Sequence, residues 1–169
     1  KITVEGTPTA YLSTTPLTST SMTYSPSTPT DTAPDPTGTA FHIGILHGAS
    51  YVGGELIKIL AAHPDVTLAA VTSRTFAGKP LSEAHPALRG QVEQSFVAPD
   101  DIALDTLDAV LVAGEHGQSM HLVPELLEAG FDGPIVDLSA DFRFKEASIY
   151  PKWFDVEHPA SDLLEEAVY

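Results

Sequence analysis

Two short stretches of this chain carry residue types suited to holding phosphate. The first runs from Phe41 to Leu56 and has glycines at 44, 48, 53 and 54. An apolar strand that breaks into a glycine-rich turn and opens a helix aims backbone N–H groups and the positive end of the helix at an anion. The spacing is G-x3-G-x4-G-G, not the dinucleotide pattern G-x-G-x-x-G, so the run alone is also compatible with tight strand-to-helix packing that binds nothing. The second stretch shifts that balance. Ser73-Arg74 stands twenty residues past Gly53, at the end of the next apolar strand, where a side chain should meet the adenosine ribose. An acid there would accept from a 2′-hydroxyl, whereas a guanidinium fork beside a hydroxyl suits a 2′-phosphate. The expected cofactor is therefore NADP in preference to NAD. Gly48, Ala49, Ser50, Tyr51, Val52 and Gly53 are expected around its pyrophosphate, and Ser73 and Arg74 on its 2′-phosphate.

A third glycine-rich turn, Gly114-Glu-His-Gly117, should face the middle or nicotinamide end of such a cofactor, which adds His116 and Gly117 to the candidates. A lone histidine is more often structural than catalytic. Asp137 and Asp141 flank Leu-Ser-Ala, and paired carboxylates can do acid–base work; the competing expectation is that one caps a turn and pairs with Arg143. His85 and His158 precede prolines and read as turn residues. No two histidines have helical metal-ligand spacing backed by carboxylates, so no metal is expected. The chain has no cysteine, which removes disulfides and any thiolate nucleophile from it.

The elements that must position these residues follow from periodicity. A strand over 41–46 leads into a helix from Tyr51 to Ala62, with Val52, Leu56, Ile59 and Leu60 on one face and His63-Pro64 as the stop. Val66 to Val71 is a second strand, completing a βαβ unit. Residues 75–92 are rich in turn dipeptides and read as an ordered excursion. Val92 to Val97 is expected as a short strand and Leu107 to Ala113 as a stronger one. Ser119 should cap a helix over Met120–Ala129 that ends at Gly130, and Pro134–Asp137 should be the last strand. Strands alternating with helices define an α/β fold with a doubly wound parallel sheet of the Rossmann type, which binds ligands at the strand C-terminal ends.

Composition divides the chain. Residues 1–40 hold thirteen Thr, five Ser and six Pro without apolar periodicity, and are expected to be disordered. Residues 41–169 carry seven Lys/Arg against twenty Asp/Glu, and the whole chain has a formal charge of −15. Nucleic acid and anionic membrane are poor partners for such a surface, and the acidity suits a protein kept soluble in strong salt. No run is long and apolar enough to span a bilayer, and no signal-peptide pattern is present. The expected compartment is a reducing cytoplasm.

In their order and spacing several segments resemble one family closely, N-acetyl-gamma-glutamyl-phosphate reductase. They are Gly48-Ala-Ser-Tyr-Val-Gly-Gly-Glu-Leu56, Thr72-Ser-Arg74, Phe76-Ala-Gly-Lys-Pro-Leu81, His85-Pro-Ala-Leu-Arg-Gly90, His116-Gly117, Asp137-Leu-Ser-Ala-Asp-Phe-Arg143 and Glu157-His-Pro159. The resemblance covers 41–169 and none of 1–40. It implies the NADP-binding part of an enzyme of arginine biosynthesis that reduces an acyl phosphate to a semialdehyde and releases phosphate. It implies a small-molecule substrate and a homo-oligomeric full-length protein, adds Ser139 to the cofactor residues, and makes Arg89 and Arg143 candidates for the substrate. The family's cysteine nucleophile would lie beyond Tyr169, so no catalytic residue is expected in this chain and the piece alone should be inactive.

Two departures bear on the site. The family's turn resembles G-x-x-G-A-S-G-Y-x-G, and His47 and Ser50 fall where two of its glycines would be, with Gly48 shifted by one. The family's Leu-Pro-His-Gly is replaced by Gly114-Glu-His-Gly117, which brings a negative charge near an anionic ligand. The lysine-pathway homologue acting on carrier-linked aminoadipyl or glutamyl phosphate shares these motifs. Aspartate-semialdehyde dehydrogenase shares the chemistry, but its motifs are less similar. A non-catalytic dinucleotide-binding module is the reading from another class.

Overall fold

The computed structural model describes residues 2–3 and 40–169. The expectation for residues 1–40 therefore lies outside the described residues, apart from Ile2, Thr3 and Ala40. Five parallel strands form one sheet: β1 (Ile2–Thr3), β2 (Phe41–Leu46), β3 (Val66–Val71), β4 (Ala109–Val112) and β5 (Ile135–Asp137), in the spatial order β1-β5-β4-β2-β3. The two-residue β1 pairs Ile2 with Ile135 and Thr3 with Val136, a contact that composition did not anticipate.

β2 is the central strand, with β3 on one side and β4 on the other. Its last four residues are buried, as a strand covered on both faces requires. Side chains alternate along it, so Ile45 and Leu46 enter different cores. Ile45 packs with Val71, Leu81, Leu88, Phe96 and Ile57 of helix α1 (Tyr51–Ala61). Leu46 packs with Val110, Val112, Phe142, Tyr150 and the Met120, Val123 and Leu126 face of the next long helix, which spans Ser119–Glu128. One helix covers each face, which is the doubly wound arrangement. The chain leaves β2 toward β3 and returns on its other side as β4, so the topological switch point lies at the C-terminal end of β2.

Two short helices, α2 (Leu81–Ala84) and, later in the chain, α4 (Tyr150–Trp153), bracket that second long helix, which is α3. The expected strand over Val92–Val97 does not form. Val97 makes a single parallel bridge to Thr72, while Ser95 bridges in the opposite sense to Pro80. The segment divides its hydrogen bonds between β3 and the 76–81 excursion, and Pro99 ends it before a ladder can grow. The excursion itself is ordered by bonds such as Gly78 N to Phe96 O at 2.8 Å and Leu81 N to Gln94 O at 2.8 Å.

Candidate functional site

The turn between β2 and α1 is held at both ends. Gly48 N donates to Thr72 O at 2.9 Å and Ser50 N to His47 O at 3.1 Å. The Ser50 hydroxyl caps α1 by accepting from Gly53 N at 2.9 Å. His47 occupies the left-handed region with φ 57°, a conformation rare for non-glycine residues but several-fold enriched in histidine. Gly53 has no room for a side chain, since a Cβ there would lie 2.4 Å from Gly48 O. Among the described residues the N–H groups of Ala49, Tyr51 and Val52 have no acceptor. They are the orphan donors of a helix start, available to an anion.

His85, read from sequence as a turn residue, also clamps this turn. Its Nε2 lies 2.7 Å from Gly48 O; a carbonyl only accepts, so this nitrogen carries the proton and donates. The ring lies against Gly54, where an added Cβ would come within 2.6 Å of Nδ1.

Ser73 and Arg74 follow β3 as expected. Ser73 is buried, and its Oγ accepts from Phe76 N at 3.2 Å, which leaves the hydroxyl proton to donate elsewhere. Arg74 is exposed and has no carboxylate partner among the described residues. Two cavities open at this edge of the sheet. An open cleft of about 620 Å³ is lined by Ala49, Ser50, Ser73, Arg74, Gly114 and Gly117 and floored by α3 through His121 and Glu125. A smaller, more apolar cavity of about 170 Å³ is walled by Leu46, Pro99, Ile102, Leu104, Leu122 and Leu126. The two share His47, Ser73, Arg74, Leu122 and Glu125.

The loop Gly114–Gly117 is fixed from β5. Asp141, only 2% exposed, accepts from Gly117 N at 2.8 Å through Oδ1 and from Met120 N at 3.0 Å through Oδ2. Ser119 is thus not the N-cap: it is the first helical residue, the cap position is Gln118, whose side chain makes no capping bond, and Asp141 caps α3 from a distant loop. Arg143 does not pair with either aspartate; its guanidinium lies 5.3 Å from the centre of the exposed Tyr169 ring. Asp137 accepts from Ser139 N at 3.0 Å and Ser139 Oγ at 2.8 Å, and Ser139 Oγ in turn accepts from Asp141 N at 3.0 Å. Burial pushes the Asp137 carboxyl above the usual carboxylate range, against the lowering effect of the Ser139 bonds. The two aspartates are knotted into the scaffold, and the Ser139 hydroxyl is committed to that knot.

His158 closes the knot. Ala160 N donates to its Nδ1 at 3.2 Å, so Nε2 carries the proton and donates to Asp141 O at 2.8 Å. Burial holds this imidazole below the usual histidine value, with the bond to Asp141 O opposing. A histidine kept neutral in the fold titrates at higher pH when unfolded, so the unfolded state binds more protons and stability falls as pH drops through the unfolded value of 6.5 toward the lowered one. His47, lowered by burial and by Arg74, contributes with the same sign. Urea titrations between about pH 7.5 and 5.5 should show declining stability, with a shallower decline in His158→Asn. An equal slope in the variant would remove His158 from this account.

The side chains of several sequence candidates lie away from the cleft. Gly48 and Gly53 are buried behind the turn, while Tyr51 and Val52 are exposed on the first turn of α1. His116 is exposed, with its ring 5.7 Å from that of Phe154. Arg89 is in a separate depression with Ser82, Glu93, Gln94 and Ser95, and neither it nor Arg143 reaches the cleft. Sequence reasoning missed His121 and Glu125, because helical periodicity shows which face of α3 is buried but not which end faces a cavity.

A crevice at the switch point, with orphan helix donors, a hydroxyl and an arginine along its rim, defines a nicotinamide-dinucleotide-binding domain of the α/β class. The chain belongs to the family described as semialdehyde dehydrogenase, NAD binding domain, which matches residues 42–167. An N-acetyl-gamma-glutamyl-phosphate reductase of Polynucleobacter asymbioticus is 45% identical over 127 residues, covering 75% of this chain and 36% of that protein. A [LysW]-L-2-aminoadipate/[LysW]-L-glutamate phosphate reductase of Saccharolobus solfataricus is 44% identical over 129 residues, with the same coverage of 75% and 36%. The chain spans 36% of the length of these curated relatives. The crystal structure of aspartate semialdehyde dehydrogenase with NADP from Candida albicans superposes with a TM-score of 0.54 at 18% identity, over 64% of this chain and 32% of the other. That likeness bears on the fold.

Proposed function

We propose that this chain is the cofactor-binding part of an NADPH-dependent reductase that converts N-acetyl-glutamyl 5-phosphate to the semialdehyde with release of phosphate, a step of arginine biosynthesis. The observation that carries the cofactor reading is Arg74, without a carboxylate partner among the described residues, beside the Ser73 hydroxyl at the junction of the two cavities. The residues present fit the dinucleotide: the orphan N–H groups of Ala49, Tyr51 and Val52 would hold the pyrophosphate, and the apolar cavity would take the adenine. Bound NADPH would supply the hydride. This chain would orient the cofactor and hold its phosphates, while a cysteine nucleophile for the acyl phosphate is not among its residues. The relatives named for the carrier-linked lysine-pathway substrate are as similar as those named for the arginine pathway, so that substrate is the second reading. Assaying the enzyme that contains this chain with each acyl phosphate separates them.

A small acyl phosphate as substrate, a homo-oligomeric enzyme and a cytoplasmic location belong to the same proposal, and the names of the relatives support the first of these. Among the described residues no helix is long and apolar enough to cross a membrane. The direct test is Arg74→Ala. Loss of a hydrogen-bonded charge should weaken NADP+ binding by about 1.5–3 kcal/mol, roughly tenfold to 150-fold, and leave NAD+ binding nearly unchanged. Titration calorimetry with both nucleotides measures the difference; equal losses would mean that Arg74 does not read the 2′-phosphate.

A further inference from the structure

His47 stands where the two cavities meet. It holds a left-handed backbone conformation, φ 57°, in a turn otherwise built from small residues, and its side chain lines both cavities together with Ser73 and Arg74. Among the described residues its ring nitrogens have no hydrogen-bond partner; its backbone N–H donates to Thr72 Oγ1 at 3.3 Å and its carbonyl accepts from Ser50 N at 3.1 Å. Among the described residues, a half-buried imidazole on a strained turn with two unused ring nitrogens stands with a guanidinium that has no carboxylate partner, a pair of groups suited to an anion.

We propose that His47 and Arg74 together grip the 2′-phosphate of the dinucleotide, and that His47 takes a proton from solvent as the phosphate docks. The inference rests on the NADP reading above and deepens it. Burial and the neighbouring guanidinium both disfavour the imidazolium in the protein alone. A phosphate dianion between the two side chains reverses that balance, because an opposite charge within hydrogen-bond reach favours the charged form. The other charged and titratable groups lining the cavities with His47 are Glu115 after β4, His121 and Glu125 on α3, and Asp100 in the turn Pro99–Asp101. The three carboxylates oppose an anion that is not met by a cation.

Proton uptake has a sign that separates His47 from the alternatives. Docking a phosphate on Arg74 alone stabilises its dianion, whose pKa is about 6, and so releases protons near neutrality. Uptake requires a base on the protein. Calorimetric titration of the 169-residue chain with NADP+ in buffers of different ionisation enthalpy near pH 7 should show net uptake of up to one proton, and NAD+ should show none. Affinity for NADP+ should tighten by about three- to tenfold from pH 8 to 6.5. His47→Asn, which tolerates the left-handed turn and cannot titrate, should abolish the uptake and flatten the pH dependence. His47→Gly, free of strain there, should behave the same way and controls for folding. NADP+ binding without uptake, or uptake that survives in both variants, overturns the proposal and leaves the NADP reading standing. Failure of the unaltered chain to distinguish NADP+ from NAD+ overturns both.

Discussion

Gly53→Ala is expected to destabilise the protein by about 3 kcal/mol and to remove measurable dinucleotide binding. The added methyl would lie 2.4 Å from the Gly48 oxygen and 2.7 Å from its carbonyl and α carbons, all backbone atoms. That peptide is pinned on both sides, by Gly48 N to Thr72 O at 2.9 Å and by the His85 ring on Gly48 O at 2.7 Å. Relief therefore requires breaking one of these bonds, worth about 1 kcal/mol, on top of overpacking strain of about 1–3 kcal/mol. For a chain of this size the melting temperature should fall by about 6–12 °C. Gly54→Ala gives the contrast, because its methyl would meet the His85 side chain at 2.6 Å. Adding His85→Ala should relieve most of the Gly54→Ala clash, whereas in the Gly53→Ala protein it should spare at most the bond it has already removed, about 1 kcal/mol, and leave the overpacking of the Gly48 backbone. A Gly53→Ala protein that melts with the parent and still binds NADP+ would contradict this packing of the turn.

Asp141→Ala should cost more, about 3–5 kcal/mol. It removes two charge-assisted bonds, to Gly117 N and Met120 N, and leaves both donors without an acceptor at a buried helix start. Asp141→Asn keeps the volume but turns an NH2 group toward one of those N–H donors, so it should lose about 2 kcal/mol. Urea unfolding ranks the three proteins. Hydrogen exchange should localise the effect, with faster exchange over residues 114–122 in both variants, since the Gly114–Gly117 loop and the first turn of α3 hang from one carboxylate. An alanine variant within about 1 kcal/mol of the parent would show that the cap is dispensable.

These two side effects illustrate what local sequence can and cannot carry. Val66–Val71 was readable to its ends because an apolar β-branched run between a proline and a polar turn has one reading, and the observed β3 has those bounds. The place of Ser73-Arg74 at the cavity edge was readable because the end of β3 was. Val92–Val97 was misread because its apolar ends gave no sign that its bonds would be divided between two partners. His85 looked like a turn histidine because its partner, Gly48, is 37 residues away, and Asp141 looked like a partner for Arg143 because proximity in sequence suggested it. The donors that Asp141 serves are 24 and 21 residues distant. The family resemblance marked these segments without indicating what they touch.

The linkage from Gly117 through Asp141 to His158 also limits how such chains recombine. A crossover falling between α3 and β5 would join a loop from one parent to its anchor from another. The hybrid keeps its cofactor floor only if the incoming segment supplies a carboxylate at 141 and an imidazole at 158 to orient it. Residues 114–120 and 137–160 therefore form one module for exchange or grafting, although forty-odd positions of sequence separate its ends. On the cofactor reading proposed above, a transplant of nucleotide preference would exchange His47, Ser73 and Arg74, whereas an exchange of the Gly114–Gly117 loop has to move that whole module.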